Sequence, residues 1–225
     1  MPNSVERSWW RPARRFSVAE MVADGIIHSI GLAGGLAAGA ILLAVAIVKT
    51  APAEAPALAV YVGSLIVVLS VSLAYNMWPL TPAKQVLARL DQAAIFLFIA
   101  GTYTPFLAVL GGTPTATIMM VAVWGAALVG IALKLLVPQH FGRLAILLYL
   151  GIGWSGVLVF QQLAASLPPV ASWLLVAGGV VYSLGIIFHL WEKLRFQNAV
   201  WHGFVVVAAM LHLAAILDCM VINRL

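Results

Sequence analysis

The sequence predicts an all-α integral membrane protein, a bundle of seven transmembrane helices with the N-terminus inside and the C-terminus outside. Two observations set the class. The chain is 64% hydrophobic and only 8% charged over 225 residues, whereas a soluble domain carries about 25% charged residues. Its apolar runs are also long, each close to the roughly 20 residues that a bilayer requires of a helix. A third observation sets the orientation. With the N-terminus inside, ten of the twelve Lys and Arg residues fall on the inner side, leaving only Lys49 and Arg224 outside.

Taken in order, residues 1–20 read as a basic inner tail with Arg7, Arg11, Arg14 and Arg15, and Trp9 and Trp10 suit the headgroup region. The tail has no apolar core of a signal peptide. The membrane domain covers 21–225. Its spans are predicted at 23–48, 57–78, 91–110, 115–137, 144–163, 169–191 and 198–222, with Gly and Pro at the joints. The period-two patterning of a barrel strand is missing. Gly31, Gly35 and Gly39 form a small-residue stripe on the first span, suited to close helix contact. Pro105 lies well inside the third span and predicts a kink, with Thr102 or Thr104 placed to satisfy the freed carbonyls.

The sequence pI of 9.7 does not signal nucleic acid, because the basic residues sit in a tail and between apolar runs. The partners it implies are membrane lipids, and the expected location is the inner (plasma) membrane. The single Cys219 excludes an intramolecular disulfide and a cysteine-rich metal site. No repeat suggests a transporter of two halves.

Polar residues inside the spans carry the functional signal, since such groups are costly unless they face the bundle interior. Glu20, Asp24 and His28 step by four along the start of the first span. Ser72 and Asn76 share a face at the end of the second, Asp91 opens the third, His189 closes the sixth, and Asn198 and His202 share a face of the seventh. All belong to one leaflet. Glu20, Asp24 and His189 are equally well read as helix-end or interfacial groups. Asn76, Asp91, Asn198 and His202 predict a shared intramembrane site, with Ser72 beside Asn76. His212, deeper in the last span, is read as a histidine hydrogen-bonded between helices. Asp218 is read as interfacial and His140 as a solvated loop residue.

These residues resemble the hemolysin III family, the bacterial branch of the progestin and adiponectin receptor superfamily. The match rests on LDQAAIFLFIAGTYTPFL at 90–107, on SLAYN at 72–76, similar to S-x-x-x-H, and on NAVWH at 198–202, similar to H-x-x-x-H. Glu20 and His28 match the acidic residue and histidine of the family's first span. The resemblance implies seven helices, a zinc ion near the cytoplasmic surface, and lipid amide hydrolysis among related members. Carried over, the ligand positions are Asn76, Asn198 and His202, and the catalytic serine and aspartate are Ser72 and Asp91. Two of the three ligand positions hold asparagine, and Gln92 stands where the family has histidine. The expected site is therefore a degenerate one, with Glu20, Asp24, His28 and Gln92 as further polar residues and His28 or Asp91 as a replacement ligand. The sequence leaves three functions open: a non-catalytic protein of membrane or lipid homeostasis, a zinc-dependent intramembrane hydrolase of a lipid amide or ester, and a channel or transporter.

Overall fold

A computed structural model describes residues 16–49, 54–138 and 142–224. Eight α-helices occur there: α1 (Val18–Lys49), α2 (Ala55–Met77), α3 (Pro82–Val109), α4 (Pro114–Leu136), α5 (Gly142–Trp154), α6 (Phe160–Ser166), α7 (Pro169–Leu190) and α8 (Gln197–Met220). A 3-10 segment, Ser155–Val159, joins α5 to α6, and the three together make one span. The described residues thus form seven apolar crossings and no strand, as the composition predicts. Trp9, Trp10, the tail arginines and His140 lie outside the described residues.

Two predicted span starts move outward. The first begins at Val18 rather than 23, because Ser17 and Glu20 form a reciprocal cap. The Ser17 hydroxyl accepts from the Glu20 amide at 3.3 Å, and the Glu20 carboxylate accepts from the Ser17 amide at 2.9 Å. The third begins at Pro82 rather than 91. Pro82 opens it at a position where a helix has no use for an amide donor, so the more polar turns before Asp91 are already helical.

The helices pack as sequential neighbours from α1 to α4, and α8 closes the bundle by packing on both α1 and α7. The glycine stripe works at these contacts. A Cβ on Gly31 would lie 2.6 Å from Val206 of α8, and one on Gly35 or Gly39 would lie 2.9 or 2.8 Å from Leu69 or Val62 of α2. This close approach brings the starts of α1 and α8 together beside the end of α2.

Pro105 does lie inside α3. The Thr102 and Thr104 hydroxyls donate to the carbonyls of Phe98 and Ala100, not to that of Gly101, the carbonyl a proline at 105 frees. The fifth crossing is interrupted at mid-length. Tyr103 of α3 satisfies the interruption: its hydroxyl accepts from the Gly156 amide at 2.6 Å and lies 2.7 Å from the Gly153 carbonyl and 3.0 Å from that of Ile152. Non-helical backbone at membrane depth needs such a partner.

Candidate functional site

The cap that starts α1 at Val18 draws Glu20, Asp24 and His28 into the protein. They are 6%, 3% and 3% exposed and so lie inside the bundle, with Glu20 also a helix-start group through its cap to Ser17. Helical spacing stacks Asp24 under His28, and the facing turn of α8 presents His202. The His202 Nδ1 lies 2.6 Å from Asp24 Oδ1, and the two imidazole rings stand 4.1 Å apart. His28 Nδ1 lies 2.9 Å from the Asp24 carbonyl and 3.4 Å from Asp24 Oδ1. A carbonyl only accepts, so Nδ1 carries the proton of His28. Its Nε2 lone pair then faces the Ser72 hydroxyl of α2 at 3.2 Å.

Ser72 links this group to the rest of the predicted site. Asp91 of α3 hydrogen-bonds to its side chain. Asn76, one turn along α2, donates its carboxamide to the Ser72 carbonyl at 2.9 Å and approaches the Ser72 hydroxyl at 3.5 Å. Asn198 donates to the Asn76 carboxamide oxygen at 3.5 Å. Ser72, Asn76, Asp91, Asn198 and His202 are therefore joined through one network, in which Ser72 is the hub and Asp24 and His28 are the members that bind His202.

Gln92 enters differently. Its backbone carbonyl accepts from the Tyr149 hydroxyl at 2.7 Å, which ties α3 to α5. Among the described hydrogen bonds none joins its side chain to the network. Glu20 sits above, its Oε1 accepting from the Phe196 amide at 2.9 Å and fixing the α7–α8 turn against α1. The His189 ring lies against Trp201, tilted, with centroids 4.9 Å apart, and its carbonyl accepts from Gln197. His212 lies with Nε2 3.2 Å from the Leu175 carbonyl of α7, an interhelical bond of the kind predicted. Asp218, near the end of α8, is buried in the protein.

Two ligand sets can be compared. The set implied by resemblance does not suit zinc: Asn76 and Asn198 offer carboxamides that bond to each other, and carboxamide oxygen is a poor match beside imidazole. Asp24, His28 and His202 offer one oxygen and two nitrogens, their ligand atoms all lie within 4.8 Å of one another, and all three residues are buried. These three could hold a metal ion. The signal for them was present in the sequence, in the S-x-x-E cap at 17–20 that places Asp24 inside the span.

Comparison with known proteins agrees with this architecture. The sequence model of the family described as Haemolysin-III related matches residues 16–213. The chain is 35% identical over 192 residues to Hemolysin-3 homolog of Bacillus subtilis (strain 168), covering 84% of this chain and 89% of that protein. It is 34% identical over 188 residues to Hemolysin-3 of Bacillus cereus, covering 84% and 86%. It is also 31% identical over 129 residues to Monocyte to macrophage differentiation factor of Homo sapiens, covering 56% and 52%. With seven apolar crossings and a match over most of its length, the chain is a multi-pass membrane protein and belongs to the Haemolysin-III related family.

Proposed function

We propose that this protein acts in membrane or lipid homeostasis from the plasma membrane, with its polar network at the cytoplasmic side taking the polar part of a membrane lipid. The observation that carries the reading is the convergence of α1, α2, α3 and α8 on the hub at Ser72, at the end of the bundle bearing Lys84, Arg89, Lys193 and Arg195. Side chains able to donate and to accept stand together there. A lipid headgroup with both functions meets partners that the surrounding acyl chains lack. Zinc at Asn76, Asn198 and His202 is not part of this reading, because the two carboxamides do not suit it.

The test is the lipid composition of cells with and without the gene. Deletion should shift the composition, and the wild-type gene should restore it where Asp91→Ala does not. An unchanged composition after deletion contradicts the proposal.

A second reading is hydrolysis of a lipid amide or ester. It is favoured by the Ser72 hydroxyl at 3.2 Å from an unprotonated histidine nitrogen, with Asp91 alongside. Purified protein should then release fatty acid from a short-chain amide or ester lipid, and Ser72→Ala should abolish the release. Absence of product from either lipid class rejects this reading.

A further inference from the structure

We infer that this chain binds a divalent cation, zinc by donor chemistry, at Asp24, His28 and His202, one turn deeper in the bundle than the pair Asn76 and Asn198. The inference deepens the lipid reading above, because it places an ion next to Ser72, the hub of the same network.

Three independent features support the site. The first is the donor set. Two imidazoles and one carboxylate are the protein donors of open, three-ligand zinc sites. The second is the outer support of the ligands. A histidine that binds metal through one nitrogen ordinarily donates the other N–H to a carbonyl or carboxylate, which fixes ring and tautomer. His28 already has that arrangement, its Nδ1–H committed to the Asp24 carbonyl at 2.9 Å and its Nε2 lone pair turned toward Ser72. The third is charge. Asp24 is 3% exposed within a membrane span, where an ionised carboxylate is costly without a compensating positive charge. A divalent cation between the carboxylate and the two rings supplies it.

The same geometry explains the asparagines. At 3.5 Å the Asn76 and Asn198 carboxamides complete a bridge between α2 and α8 without an ion. The metal-type donors have gathered instead where α1 meets α8. Within the described residues, Asp24, His28 and His202 are a grouping of three metal-type side chains with each member buried, and they come from the two helices that the glycine at position 31 brings into close contact.

The experiment is zinc titration of the purified full chain after chelator treatment, read by elemental analysis and by melting temperature. Wild type should take up one zinc per chain and melt at a higher temperature with it, since an ion bound only to the folded state stabilises that state. Asp24→Asn, which keeps the side-chain size and an acceptor oxygen, should bind zinc at least about 100-fold more weakly, a loss no smaller than those seen on removing mere outer-shell partners. His202→Ala should do the same. The double variant Asn76→Ala with Asn198→Ala should keep one zinc per chain. Helical circular dichroism and a single size-exclusion peak identify the folded variants. Should Asp24→Asn and His202→Ala both fail to fold, the wild type and the asparagine double variant still decide. A zinc-free wild type at saturating zinc overturns the inference, as does loss of zinc from a folded asparagine double variant. Zinc-free protein that still restores lipid composition sinks the cation site alone, and zinc-bound protein without any lipid effect sinks the lipid reading alone.

Discussion

Asp24 Oδ1 and His202 Nδ1 meet at 2.6 Å across the α1–α8 contact, although 178 positions separate the residues in sequence. Both side chains are buried, so the pair joins the beginning and the end of the chain inside the bundle. A hydrogen bond to a charged group contributes about 1.5–3 kcal/mol, and an orphaned buried partner adds a desolvation penalty. Asp24→Ala should therefore lower stability by about 2–3 kcal/mol in metal-free protein. Asp24→Asn should lose less, because its oxygen still accepts from His202. Thermal or denaturant unfolding in detergent, in the presence of chelator, measures both. Equal losses from the two substitutions would show that the bond contributes nothing.

Much of this site is readable from spacing alone. Ser72 with Asn76 and Asn198 with His202 are four apart, and the structure finds each pair on one helix face, joined to its neighbour. The positions of the seven crossings follow equally from apolar run length. Asp24 was harder to place. From composition it sits near a span edge, where a carboxylate reads as an ordinary helix-start residue. Its burial depends on the Ser17–Glu20 cap extending α1 outward, and its partner depends on how closely α1 and α8 pack. The cap has a local pattern, S-x-x-E at 17–20, but the closeness of the α1–α8 packing has none. The interruption of the fifth crossing is similar: Gly151, Gly153 and Gly156 permit it, but the group that satisfies it, Tyr103, lies on another helix.

Tyr103 supplies the next prediction. Its hydroxyl serves the Gly156 amide and the carbonyls of Gly153 and Ile152. Tyr103→Phe keeps the ring and removes that service. Leaving the half-buried Gly156 amide unsatisfied costs up to about 1–3 kcal/mol, and amide exchange should rise over residues 152–157 before it rises elsewhere. Exchange mass spectrometry reads this out, and an unaltered pattern in Tyr103→Phe would refute the role.

Glu20 performs two tasks, closing the cap of α1 and holding the Phe196 amide at the start of α8. Ser17→Ala removes only the capping hydroxyl and should cost about 1 kcal/mol. Glu20→Ala removes the tie to Phe196 as well and should cost more, with faster amide exchange at Phe196. Phe196 has a left-handed backbone, φ 58°, a conformation that needs its surroundings to hold it. Equal effects of Ser17→Ala and Glu20→Ala on both readouts would show that the Phe196 contact is incidental.

The asparagine bridge predicts weak coupling. Interhelical side-chain hydrogen bonds within membranes average about 0.6 kcal/mol, and the 3.5 Å separation of Asn198 from Asn76 is long for such a bond. A double-mutant cycle on Asn76→Ala and Asn198→Ala should give a coupling energy at or below about 0.6 kcal/mol. A value several times larger would mark the pair as a major tie between α2 and α8.

Anomalous scattering at the zinc edge, measured on crystals of the zinc-saturated full chain, locates the ion directly. The predicted result is one peak bounded by the side chains of Asp24, His28 and His202, with the Asn76 and Asn198 carboxamides bonded to each other outside it. A peak held between Asn76 and Asn198, or no peak at saturating zinc, would contradict it.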